Sequence, residues 1–233
     1  MMQTYHTAVV IPAYNEESSI AKVIHAIPHD KVSEVIVVDN GSGDRTAEVA
    51  EAAGATVVSE SRKGYGYACL TGIARAMTRA PSVIVFLDGD YSDFPEDLPA
   101  VVRPIHDEGF DLVIGSRMIG EREAGAMLPQ ALFGNWLATR LIRLFWGERF
   151  TDLGPFRAIR SDALARLQMT DTTFGWTVEM QIKAAKLGLR CTEVPVRYRK
   201  RIGSSKVSGT VSGTLKASYK ILYTIFKHVV VKA

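Results

Sequence analysis

The chain has 233 residues, 47% of them hydrophobic and 23% charged, enough to bury a full core and suited to one large α/β domain rather than two independent ones. Its net charge of +3 hides an asymmetry, because nine Lys or Arg and no Asp or Glu follow Glu193, leaving the first 193 residues at −6. Two distant cysteines, Cys69 and Cys191, have no paired ligand spacing, which argues against a disulfide framework or zinc site and for a reducing compartment.

Short runs rich in β-branched residues, Ala8 to Ile11, Val35 to Val38, Val83 to Leu87 and Leu112 to Ile114, alternate with helical patterns. Ile20, Val23, Ile24 and Ile27 keep the spacing of one helical face, a second helix begins near Arg45, and a third runs from about Tyr65 to Arg79. This alternation predicts a mostly parallel, buried sheet with helices on both faces. Further on, a helix is expected from Gln130 to Trp146, another around Thr177 to Lys186, and a strand from Arg190 to Tyr198. The tail from Val207 to Val231 reads as an amphipathic helix bearing Lys216, Lys220, Lys227 and Lys232. Its apolar stripe either packs on the domain or rests in an anionic membrane interface. The N-terminus lacks the basic leader and apolar core of a secretory signal, and no run of about 18 apolar residues marks a membrane span.

In such sheets ligands bind beyond the carboxyl ends of the strands, and there the unusual residues fall. PAYNEE follows the first run, DNGSGD the second and DGD the third. Carboxylates at i and i+2 on an extended strand point the same way, so Asp88 and Asp90 form a pair, and Gly89 between them leaves room for a ligand. Hard oxygen ligands suit Mg²⁺ or Mn²⁺ completed by substrate phosphates, while the same three residues also fit a solvated turn with a helix cap. Asp39, at another strand tip, reaches toward the same edge. Asn15 is placed to cap the helix that follows it. Tyr14 offers a stacking face, and Glu16 an acceptor for a base or ribose. Gly64 and Gly66 suggest close backbone approach without completing a dinucleotide fingerprint, and no Walker loop is present.

The set PAYNEE, VVDNGSGDRT, DGDYSDFPED, IGSR and TDLGPFRAIR, with RKRIGSSK near the end, resembles family 2 glycosyltransferases in order and spacing. The nearest subgroup is similar to dolichyl-phosphate mannose and polyprenyl-phosphate glucose synthases, and the resemblance spans roughly residues 7 to 206. It implies a GT-A fold, a Rossmann-like α/β architecture. Residues 1–115 would bind the nucleotide sugar, 116–206 the acceptor, and 207–233 would form the amphipathic helix. By that resemblance Pro12, Tyr14, Glu16 and Asp39 line the nucleotide pocket. Asp88, Gly89 and Asp90 form the metal motif, with Asp90 as direct ligand and Ser92 where the family often has glutamine. Arg117, with Arg122, would meet the acceptor phosphate, and Arg199, Arg201 and Lys206 would hold phosphate groups. The chain departs from the pattern in having Asn40 where a second aspartate is usual, Ser92 for glutamine, and no transmembrane helices after the catalytic domain.

The implied activity is inverting, metal-dependent transfer of a hexose from a GDP- or UDP-sugar, with Mg²⁺ or Mn²⁺ as cofactor. The implied acceptor is a polyprenyl or dolichyl phosphate. No nucleic acid is expected as a partner, and the expected location is cytoplasmic, peripheral to the cytoplasmic face of a membrane. A phosphate monoester is already largely deprotonated near neutrality and needs positioning more than a base. If a base is used, Glu179 is the candidate, with a charge-pairing role as its alternative; Asp152 is either a turn cap or a ligand to sugar or acceptor. A sugar nucleotidyltransferase would carry a Gly-rich, Arg-containing loop where PAYNEE stands. A non-catalytic scaffold is disfavoured by Asp88, Asp90, Arg117 and Arg201 being intact.

Overall fold

The computed structural model describes residues 6–203 and 211–230, with the backbone alone for 211, 212, 214 and 215. In chain order the elements are β1 (Thr7–Ala13), α1 (Ile20–Ala26), β2 (Glu34–Asp39), α2 (Thr46–Ala52), β3 (Thr56–Ser59) and α3 (Tyr65–Met77). There follow β4 (Val83–Phe86), α4 (Leu98–Glu108), β5 (Leu112–Ser116), α5 (Pro129–Trp146), β6 (Arg157–Arg160), α6 (Ser161–Leu167), α7 (Trp176–Lys186), β7 (Cys191–Pro195) and α8 (Val211–Val230).

The strands form one seven-stranded sheet in the order β3-β2-β1-β4-β6-β5-β7. β6 runs antiparallel to both β4 and β5, and every other pairing is parallel. Alternate residues of the buried strands feed two cores, as the two-residue period requires. Val10, Ile36, Ile84 and Phe86 face Trp176, Met180 and Ile142, while Val9, Ile11, Val37 and Val85 face Ile20, Ile24, Leu98 and Val101. Chain order reverses at β1 and β4. The loops leaving their carboxyl ends therefore diverge and open a crevice, the usual ligand position in a doubly wound sheet.

The predicted runs and helices are present, with four elements added that the pattern did not separate. β3 (TVVS) and β6 (RAIR) have polar residues at both ends and only two apolar ones between, and α4 carries Pro104 inside it, which breaks the expected periodicity. α6 follows β6 without a spacer. The predicted strand at 190–198 ends at Pro195, after which Tyr198 makes isolated bridges to Asp93 and Arg122.

Gly64 and Gly66 do mark a close backbone approach, but the partner is protein. A Cβ on Gly66 would stand 2.1 Å from the Asp171 carbonyl oxygen, and one on Gly64 would stand 2.2 Å from that of Thr172. Tyr67 N–H donates to the Thr172 carbonyl at 3.1 Å, sealing the start of α3 against the 171–175 loop. Gly66→Ala should therefore cost about 1–3 kcal/mol of stability. Gly134→Ala, on an open face of α5, should gain up to about 1 kcal/mol. Urea midpoints of the two variants against the parent check both signs.

Candidate active site

The crevice beyond β1 and β4 is a cleft of about 480 Å³ whose walls include Pro12, Tyr14, Glu16, Asn40, Lys63 and Arg201. Asp88, Gly89 and Asp90 form its floor. β4 ends at Phe86, so the two carboxylates sit in the turn after the strand rather than on it. That corrects the expected extended geometry, although both side chains stay at the cleft. The Asp88 carboxylate accepts from the Tyr65 hydroxyl at 3.1 Å, and Asp90 Oδ1 accepts from the backbone N–H and hydroxyl of Ser92 at 2.8 and 2.5 Å. Ser92, buried and donating to Asp90, orients that carboxylate instead of offering a free ligand oxygen. A Cβ on Gly89 would point at Ile20 and Ile11 in ordinary contact, so the glycine does not make room for a ligand as expected.

Arg201 bridges the two sides of the cleft. Its Nη1 lies 3.1 Å from Asp90 Oδ2, and its Nη2 lies 3.1 Å from Glu16 Oε1. Burial, and next the neighbouring Asp90, push Asp88 up to about 7. Two carboxylates two residues apart at the cleft floor call for a positive charge, and a guanidinium now fills that need. Among the described residues no group of three or more His, Cys, Asp or Glu is arranged to hold an ion alone. The hard carboxylate oxygens, with a cation already standing on one of them, fit a divalent metal that takes its remaining ligands from a diphosphate and water.

Several predicted residues are placed elsewhere. Arg199 is stacked between the rings of Tyr91 and Phe94, 3.5 and 3.9 Å from their centroids, and donates to the Tyr91 and Asp93 carbonyls. It pins the 199–203 segment to the loop after β4. Asp39 accepts from Ser42 N–H at 3.1 Å and closes a turn beside the cleft, whose wall is formed by Asn40. Asn40 donates to the Glu60 and Arg62 carbonyls and accepts from Gly64 N–H, so its whole amide is engaged in holding the 60–64 loop. Asn15 takes φ of 55°, and its side chain accepts from Gly43 N–H at 2.7 Å; α1 is preceded by Ser19, so Asn15 is a loop clasp and not the helix cap. Lys206 lies outside the described residues.

A second cleft of about 290 Å³ adjoins the first and shares Tyr65, Asp88 and Phe174 with it. Arg117 reaches this cleft while donating to both Asp152 oxygens, at 2.8 and 2.7 Å. Burial opposes the Arg117 charge, but Asp152 more than offsets it and raises the pKa; Asp152 is correspondingly lowered despite its burial. Asp152 is thus neither cap nor free ligand but the anchor of Arg117. Arg122 donates to the Arg117 carbonyl at 3.4 Å.

Glu179 faces away from both clefts. Its carboxylate accepts from the N–H and hydroxyl of Thr170 and from Asp171 N–H, and pairs with Lys183 at 2.9 Å. Every lone pair that a base would use is committed, which favours the charge-pairing role. Sequence reasoning overlooked Lys63, whose Nζ stands 4.2 Å from the Tyr14 ring centroid on the cleft wall. It also overlooked Phe174, at the seam of the two clefts, and Asp93, a buried carboxylate whose two oxygens have no hydrogen-bond partner among the described residues. Burial, and next Asp88, hold Asp93 well above the ordinary carboxylate range. The signal for Asp93 lay in the DGDYSDFPED motif, but its depth in the fold was not readable there.

A mostly parallel sheet, a donor-sized cleft at its switch point and a paired-carboxylate turn define a GT-A glycosyltransferase. The glycosyl transferase family 2 model matches residues 8–168, and the chain belongs to that family. It is 38% identical over 205 residues to an uncharacterized glycosyltransferase of Mycobacterium tuberculosis, covering 87% of this chain and 90% of that protein. A dolichyl-phosphate hexose transferase of Haloferax volcanii is 36% identical over 205 residues, 86% of each chain. An undecaprenyl-phosphate mannosyltransferase of Micrococcus luteus is 31% identical over 217 residues, 87% of each. Among solved structures, glucosyl-3-phosphoglycerate synthase from Mycobacterium tuberculosis in complex with Mn²⁺, uridine diphosphate and glucosyl-3-phosphoglycerate superposes with a TM-score of 0.79. That likeness is at 25% identity and covers 98% of this chain and 81% of the other.

The raised Asp88 pKa has a stability consequence. Between its ordinary value of 3.8 and about 7 the folded chain keeps a proton that the unfolded chain has released. Stability contributed by this group is full below pH 4 and is lost as pH rises toward 7. With divalent cations chelated, the urea midpoint should fall across that window, and Asp88→Asn should flatten the fall.

Proposed function

We propose that this chain transfers a hexose from a uridine or guanosine diphosphate sugar to a lipid phosphate of the polyprenyl or dolichyl type, with inversion. The observation carrying the reading is the junction of two clefts at Asp88: a donor cleft with the carboxylate pair, and beside it an acceptor cleft with an arginine and apolar walls. Tyr14 and Lys63 flank the base end of the donor cleft, and Arg201, leaving Asp90, turns to the diphosphate. Asp90, oriented by Ser92, and Asp88 would hold Mg²⁺ or Mn²⁺, which offsets the negative charge that develops on the leaving diphosphate.

The acceptor cleft is lined by Met127, Leu153, Pro155, Phe174, Trp176 and Ile221, a wall suited to an isoprenoid-like chain. Its polar lining includes Arg117, and among the described residues the buried Trp176 indole N–H has no hydrogen-bond acceptor. Both are donors suited to a phosphate. A phosphate oxygen, largely deprotonated near pH 7, attacks the anomeric carbon without a protein base, consistent with the engagement of Glu179 elsewhere. Relatives named for dolichyl-phosphate and undecaprenyl-phosphate transfer support the same acceptor class.

Asp90→Asn should lower kcat by roughly 10²–10³-fold, with chelation abolishing turnover reversibly. Full transfer in excess EDTA would remove the metal from the mechanism. Replacing a short-chain lipid phosphate by the corresponding alcohol should eliminate transfer, since Arg117 loses its anion and the nucleophile its charge. Equal rates on both would point to a hydroxyl acceptor.

A further inference from the structure

α5 turns one face to the acceptor cleft, through Gln130, Ala131 and Gly134, and another outward. The outward face carries Phe133, Trp136, Arg140 and Leu144 at helical spacing, with Phe133 62% and Leu144 73% exposed. Beside them lies a separate groove of about 350 Å³ walled by Trp136, Arg140, Arg143 and Arg149 and closed by Met118 and Ile119 of the loop after β5. Among the described residues none of the three arginines is paired with a carboxylate, whereas Arg75, Arg117, Arg160 and Arg197 all are. A second exposed aromatic group lies where α5 meets α8. Phe145 of α5 meets Phe226 of α8 edge to face at 6.1 Å, and α8 presents Tyr219, Tyr223, Phe226 and Val230 outward at the same helical spacing.

We infer that the Arg140–Arg143–Arg149 groove is a second, non-catalytic anion site that takes the phosphodiester headgroup of an anionic membrane phospholipid, while Phe133, Trp136 and Leu144 sit among the acyl chains. The case rests on complementarity. Guanidinium groups form paired hydrogen bonds with phosphate oxygens, and aromatic residues gather at the membrane boundary where one end is apolar and the other wet. A free sugar phosphate would explain the arginines but not the exposed Phe and Leu around them; a protein partner would explain the apolar residues but not three unpaired cations. The inference deepens the proposed acceptor assignment and rests on it in one respect, that α5 would hold the acceptor cleft beside the bilayer containing the lipid phosphate. For α8 the packing alternative holds: Ile225 is fully buried, Leu222 and Val229 are partly buried and Lys220 is tied to Asp171 at 2.9 Å, while Tyr219, Tyr223 and Phe226 stay outward.

The test uses the full chain with vesicles of phosphatidylcholine alone, and of phosphatidylcholine and phosphatidylglycerol in equal parts. The parent should co-sediment with the anionic vesicles and not with the neutral ones. Arg140→Gln/Arg143→Gln/Arg149→Gln should weaken that binding on the order of 100-fold. Transfer from the sugar donor to a short-chain, water-soluble lipid phosphate should be unchanged in this variant, because none of the three residues touches either cleft floor. A blue shift of tryptophan emission on anionic vesicles, lost in Trp136→Phe, would report insertion. Equal binding to both vesicle types, or unchanged binding of the triple variant, overturns the site. So does displacement from the vesicles by soluble glycerol phosphate at equal phosphate concentration, which marks a free-phosphate site. A self-association abolished by the triple variant, without vesicle binding, assigns the face to a second copy and overturns it too. Failure of the parent to use the soluble lipid phosphate would sink the acceptor assignment while leaving the vesicle result to decide the groove.

Discussion

Asp88 and Asp90 stand two residues apart in a turn that the sheet buries, and the geometry around them follows from what two such carboxylates demand. In a medium that screens poorly, like charges at this spacing cannot both ionise without a cation nearby. The folded chain meets the demand twice over. Asp88 holds its proton up to about pH 7, and Arg201 crosses the cleft to lie 3.1 Å from Asp90. A divalent ion arriving with a diphosphate would meet the same demand more fully, releasing both the proton and the guanidinium. Under the proposed function the arginine is then free to follow the charge onto the leaving diphosphate, so one electrostatic requirement links donor binding to the position of the 199–203 segment.

The other arginines around the two clefts are occupied, and that narrows the chemistry. Arg199 is held by two rings and two carbonyls, Arg157 donates to the Leu153, Gly154 and Thr177 carbonyls, and Arg117 donates to Asp152 through Nε, Nη2 and its backbone N–H. These arginines fix loops around the clefts. The 171–175 loop, which carries Phe174 to the seam, is fixed by backbone: glycine at 64 and 66 lets it lie against α3, Asp171 accepts from Thr173 and Gly175 N–H, and Lys220 of α8 pairs with the same aspartate. The donor cleft, the acceptor cleft and the outward face of α5 thus share one rigid set of elements.

The legibility of this arrangement followed the length scale of each feature. Strands and helices with four or more periodic apolar residues were readable, since burial on a sheet or helix face imposes its period directly. β3 and β6 carry too few apolar residues to stand out, whereas β4, equally short, is apolar throughout, and Pro104 hid α4. Residues at strand ends were readable as a set because the fold gathers them at one edge. Their individual tasks were not, because a polar side chain's role depends on what stands 3 Å away. Ser92 and Asp39 are taken up by neighbours two and three residues away, whereas Asn40 and Arg199 are bound to partners 20 or more residues off, which no local pattern encodes. Glu179 is a helix-surface residue by spacing; its burial depends on Thr170 and Asp171 folding back over it.

The commitment of the acidic residues bears on the kind of acceptor the site can activate. A sugar or alcohol hydroxyl would need a carboxylate free to take its proton. Asp152 is bound to Arg117, Glu179 to Thr170, Asp171 and Lys183, and Asp93 is buried beneath the turn with its pKa raised. Asp88 does line the acceptor cleft, but a cation on the pair would draw its lone pairs away from a proton. A phosphate oxygen removes the difficulty at its source, because it arrives already deprotonated and requires only donors to aim it. Under the proposed function Arg117 would supply those donors, with a charge that Asp152 keeps fixed in place. The same clamp that makes Arg117 a poor candidate for moving with substrate makes it a good one for holding a nucleophile in line with the anomeric carbon, where positional error costs more than charge.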